Sequence, residues 1–97
     1  MNQRIRQAVL DRDKRCVVQR YHRHRCADTM GVPHSSNDVR RLTIEHVKEK
    51  GKPMMGKKAP DDPKHLVAVC GFANLFLCPR TEIRDQLRRH IGQRTII

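Results

Sequence analysis

The sequence predicts one small α+β domain. Apolar residues recur at helical spacing near both ends of the chain, two short segments between them have strand character, and 97 residues leave room for a single core. The whole chain, 1–97, is therefore read as one domain.

The first helix is expected over residues 3–14. Ile5, Ala8 and Val9 share a face with Arg12 nearby, while Arg4, Arg6 and Gln7 lie largely elsewhere. Asn2 suits the N-cap, and Lys14 and Arg15 suit the carboxyl end. From Cys16 to Asp38 no period survives, and an irregular loop is expected. Its run Tyr21-His22-Arg23-His24-Arg25-Cys26 is dense in donors and metal-ligand types. A structureless stretch of this length in a small domain calls for an internal tether.

The first strand is expected at about 41–46. Leu42 and Ile44 then point one way and Thr43 and Glu45 the other, with His46 at the strand end. Gly51, Pro53, Gly56, Pro60 and Pro63 make Lys48 to Lys64 a loop. The apolar run His65-Leu66-Val67-Ala68-Val69 predicts the second strand, leading to Cys70. The last helix is expected over 81–91. Ile83, Leu87 and Ile91 form its buried stripe on the sheet, Arg84, Arg88 and Arg89 face outward, and Gly92 suits the position after its end. Pro79 bars an uninterrupted helix through that point.

The chain carries 21 Lys and Arg against 10 Asp and Glu, a net charge of +11. The excess is spread along the whole length, so it is no detachable tail. A polyanionic partner is implied, with backbone contacts dominating, weak sequence preference and strong salt sensitivity. An anionic membrane fits poorly, because no helix sets a basic face against a strong aromatic or leucine face. No apolar run approaches the ~18 residues of a membrane span, and no signal-peptide core follows Met1. A cytoplasmic location is expected, where thiols stay reduced. Four cysteines then mean metal binding or small buried hydrophobes, not disulfides. With three aromatic residues and 37% hydrophobic content, the core looks thin, and a structural metal or an oligomer is expected to support it.

Glu45-His46 at a strand end, His65-Leu66 opening a strand that closes on Cys70, and Asn74 four residues later form an ordered set. Over roughly residues 9–75 the chain resembles the HNH endonucleases, whose unit is the ββα-metal nuclease fold. The resemblance implies a two-stranded antiparallel hairpin packed on a C-terminal helix, with an N-terminal helix and a long zinc-tethered loop. It implies a phosphodiester hydrolase acting on DNA, with RNA left open. His46 would be the general base, and Glu45 and Asn74 would hold one Mg²⁺ or Mn²⁺ through oxygen. His65 stands where the family has Asn; it would brace the loop or serve as a further metal ligand. Lys48, Lys50, Lys52, Lys57 and Lys58 would contact phosphates. The compact build also resembles phage-encoded HNH proteins that work beside DNA-packaging machinery, which implies a terminase or another DNA-processing partner.

Many HNH domains also hold a structural Zn²⁺ with two Cys-x-x-Cys pairs. Here Cys16 and Cys70 supply the first half of each, but Gln19 and Ala73 occupy the partner positions. Widened pairs, Cys16 with Cys26 and Cys70 with Cys78, would still supply four sulfurs. His22 or His24 is the alternative for one thiolate, and His90 is a remote further candidate. The competing functional readings are a non-catalytic, zinc-stabilised nucleic-acid-binding module and an accessory subunit of a larger DNA enzyme.

Overall fold

In the computed structural model, which describes residues 2–47 and 63–95, the chain is a small α+β domain. Helix α1 spans Gln3–Asp13, a single helical turn α2 spans Ala27–Met30, strands β1 and β2 span Leu42–His46 and Leu66–Cys70, and helix α3 spans Thr81–Thr95. Asn2 caps α1 as expected, its side-chain oxygen accepting the Arg4 N–H at 2.7 Å. The helix stops on Lys14 in the left-handed region (φ 62°), whose N–H returns to the Leu10 carbonyl. Val9 and Leu10 are buried and Ile5 half-buried, whereas Ala8 is exposed, so the apolar face is rotated from the predicted one.

β1 and β2 pair antiparallel, with Leu42 opposite Cys70, Ile44 opposite Ala68 and His46 opposite Leu66. Every residue of β2 is buried, so its continuous apolar run reads correctly as a strand covered on both faces. Helix α1 lies across both strands, and α3 packs chiefly on the short 3₁₀ turn Pro63–His65. This corrects the expectation that the C-terminal helix covers the sheet. The predicted stripe Ile83, Leu87 and Ile91 is nonetheless buried. Helix α3 also runs through Gly92 to Thr95, because the Ile91 side of the helix is already anchored when the chain reaches the glycine.

β2 has an outer edge with no strand partner among the described residues, and side chains satisfy it. Arg12 donates to the Leu66 carbonyl at 2.6 Å, Asp13 accepts the Ala68 N–H at 2.9 Å, and the Cys16 sulfur accepts the Cys70 N–H at 3.3 Å. The end of α1 thus acts as a surrogate third strand. The segment expected to be an irregular loop contains a 3₁₀ turn, Val17–Arg20, besides α2, and Tyr21 ties it to α3 through a 2.9 Å hydrogen bond with His90. Beyond β2 the chain turns at once into a helical stretch that widens to a π-type turn over Ala73–Leu77, closed by the Cys78 N–H on the Ala73 carbonyl. Gly71 permits that turn: a Cβ there would sit 2.2 Å from the Val39 carbonyl oxygen. Among the described residues no helix is long and apolar enough to cross a membrane.

Candidate metal centre and the β1 acid–histidine pair

Cys16 follows α1, His24 lies in the loop and Cys70 ends β2; the fold brings their ligand atoms within 4.8 Å of one another. The His24 Nε2 is 3.6 Å from the Cys16 sulfur and 3.2 Å from the Cys70 sulfur. A tetrahedral zinc with ordinary Zn–S and Zn–N bonds sets sulfur and nitrogen about 3.6 Å apart. The imidazole is correctly prepared for ligation. Its Nδ1 lies 2.7 Å from the His22 carbonyl, which orients the ring with Nε2 toward both sulfurs.

Both sulfurs accept a backbone N–H, Cys16 from Cys70 and Cys70 from Ala73, each at 3.3 Å. Contact with Cys16, then the Ala73 N–H and the His24 ring, holds the Cys70 thiol below its ordinary value despite burial. The same contact and burial push Cys16 up. The three residues form a donor set that can hold a metal ion such as zinc.

Of the four cysteines expected from the widened pairs, Cys16 and Cys70 lie in the close cluster; Cys26 and Cys78 stand outside it, though Cys26 helps push Cys16 up and Cys70 helps push Cys78 up. Cys26 is buried but faces Gln19 and Thr29, its sulfur 3.7 Å from the Gln19 side-chain oxygen. Cys78 is buried against Glu45. His24 joins Cys16 and Cys70, so the histidine alternative is the one the fold brings together. His90 is engaged with Tyr21. The eight-residue separation of Cys16 and His24 belongs to no standard ligand spacing; the only sequence signal was the density of ligand types in that run.

Glu45 and His46 end β1 as predicted. Asn74, on the helical stretch after β2, folds back over β1. Its side-chain nitrogen donates to the Thr43 hydroxyl at 3.1 Å and faces the Ile44 carbonyl at 3.5 Å. The carboxamide therefore lies one residue from Glu45 along the strand. Glu45 is 9% exposed. Burial drives its carboxyl up to about 7, against the smaller opposing effects of His46 and the Cys78 thiol. Cys78 is in turn pushed up by burial and by Glu45. His65 lies in the turn before β2 instead of in the strand, and its carbonyl accepts the Val47 N–H at 2.8 Å, bracing the end of β1. Lys48, Lys50, Lys52, Lys57 and Lys58 lie outside the described residues. The chain matches no family model, no curated protein and no solved structure.

Proposed function

We propose that this chain is a metal-dependent DNA endonuclease of the HNH type, steadied by a structural metal on Cys16, His24 and Cys70. The observation that supports the reading is the return of Asn74 onto β1 at Thr43 and Ile44, the two residues before Glu45 and His46. A carboxamide about thirty residues away in sequence thus packs on the strand that carries the acid–imidazole pair. Asn74 commits its nitrogen to the strand, so its oxygen is the atom offered to a cation. Glu45 and Asn74 are hard oxygen donors that suit Mg²⁺ or Mn²⁺, which supplies charge neutralisation at the scissile phosphate and the departing oxygen. His46 takes the proton from the attacking water. The net charge of +11 supports binding through the phosphate backbone. A place beside DNA-packaging machinery rests on the resemblance alone.

One observation favours a second reading, a zinc-stabilised nucleic-acid-binding module without catalysis. Glu45 is buried against the Cys78 thiol, and a cation must displace that contact to reach it. Nicking of supercoiled plasmid in Mn²⁺ separates the two. The nuclease reading expects His46→Ala to lose ~10²–10⁴-fold in rate with DNA binding retained. Equal rates in the two proteins, including none in either, leave only the binding module.

A further inference from the structure

We infer that Phe72 and Phe76, continued by the rings of His24 and His22, form a stacking platform for the unpaired bases of a single-stranded polynucleotide. The inference rests on the reading of the chain as a nucleic-acid-binding protein. It adds a base-contacting surface that the charge excess does not supply.

The chain has two phenylalanines and no tryptophan, and its core is built from aliphatic side chains and cysteine. Both phenylalanines are nevertheless on the surface, Phe72 37% and Phe76 58% exposed. They stand four residues apart on the helical stretch after β2, with ring centres 5.1 Å apart. Phe72 stacks on His24 at 6.1 Å with planes 23° apart, and His24 lies 6.4 Å from His22. Four rings thus form one continuous row. One of its two inner members, His24, is held at Nδ1 by the His22 carbonyl and at Nε2 by the Cys16 and Cys70 sulfurs.

Leu75, also exposed, adds an apolar side chain to this stretch, and the neighbouring sequence supplies positive charge. Arg23 and Arg25, both exposed, bracket His24. Between Lys14 and Cys26 the sequence has five Lys or Arg and no Asp or Glu, and between Cys70 and Arg80 it has no acid. Exposed rings with basic residues close by in the chain suit single strands: the bases stack and the phosphates meet positive charge. In a duplex the base faces are already stacked, so the platform discriminates against paired DNA.

The test is fluorescence anisotropy on the zinc-loaded protein with three probes: an oligothymidylate, an abasic strand of equal length and a duplex. Wild type is expected to bind the oligothymidylate at least tenfold tighter than the abasic strand. Phe76→Leu keeps an apolar side chain at an exposed position and removes the ring. It is expected to weaken oligothymidylate binding roughly tenfold, with abasic and duplex binding and the salt slope unchanged. Phe72→Leu/Phe76→Leu should abolish the preference. Equal binding of base-bearing and abasic strands by wild type overturns the inference and leaves the nuclease reading standing. So does a self-association, seen by sedimentation, that Phe76→Leu abolishes while strand binding is unmoved. Failure to bind any of the three probes overturns both.

Discussion

On the proposed nuclease reading, stability and function pull in opposite directions at Glu45. Its carboxyl moves from 4.5 to about 7 because burial disfavours the anion. Below about pH 4.5 it is neutral whether the chain is folded or not, and its contribution to stability is fully present. As pH rises toward 7 the unfolded chain releases the proton and the folded chain keeps it, so stability falls; above 7 the loss is complete, at about 3 kcal/mol at most. Without added Mg²⁺ or Mn²⁺, Glu45→Gln should be the more stable protein at pH 8 and should lose that advantage at pH 4.5. Urea midpoints of both proteins across this range check it, and a difference flat in pH would show that the carboxyl is solvated. A cation on Glu45 must displace the proton, so Mn²⁺ affinity should fall about tenfold per pH unit below 7. The same substitution should remove nicking, a gain in stability at the expense of activity. The acid was legible from its place beside His46. Its burial was not, because alternation along β1 marks faces and cannot say that both faces of a hairpin will be covered.

The hairpin is an element completed by side chains. Asp13 is 6% exposed at its side chain and is the acceptor for the Ala68 N–H, while Arg12 pairs with it at 2.7 Å. Asp13→Ala leaves that buried N–H without its acceptor and should cost roughly 1–3 kcal/mol. Asp13→Asn keeps an oxygen there and should recover part of the loss. Chemical denaturation of the three proteins reads this directly; equal loss in Ala and Asn variants would assign the effect to the Arg12 ion pair. Both strands were readable because a five-residue alternation and a five-residue apolar run are strand-length signals. Helix α3 was readable from its stripe and α1 from its cap. The wide turn at Ala73–Leu77 was not, since ANLFL carries no helical period and two of its large apolar residues, Leu75 and Phe76, point into solvent. That turn follows from one tertiary constraint, Gly71 against Val39, and one local one, the Ala73 N–H on the Cys70 sulfur.

For the molecule as a whole, a metal ion on Cys16, His24 and Cys70 would decide whether so lean a core holds. Many of the buried apolar residues are valine, alanine or cysteine, each contributing less buried area than leucine or phenylalanine. Cys16 and His24 are eight residues apart and His24 and Cys70 forty-six, so one ion would close the donor-rich loop onto the hairpin and join α1 to β2. If the ion binds the folded chain alone, stability should rise by about 1.4 kcal/mol for each tenfold increase in free zinc above the dissociation constant. A strong chelator should therefore produce a cooperative loss of helical circular dichroism that zinc restores, and His24→Ala should flatten the zinc dependence of the melting temperature. His24→Cys, which offers a thiolate from the same position, should preserve it. A melting temperature identical in chelator and in zinc would mean that the three residues are held by packing and shared hydrogen bonds alone. The salt-sensitive charge excess would then be borne by a core that needs no ion, and the buried cysteines would count only as small apolar side chains.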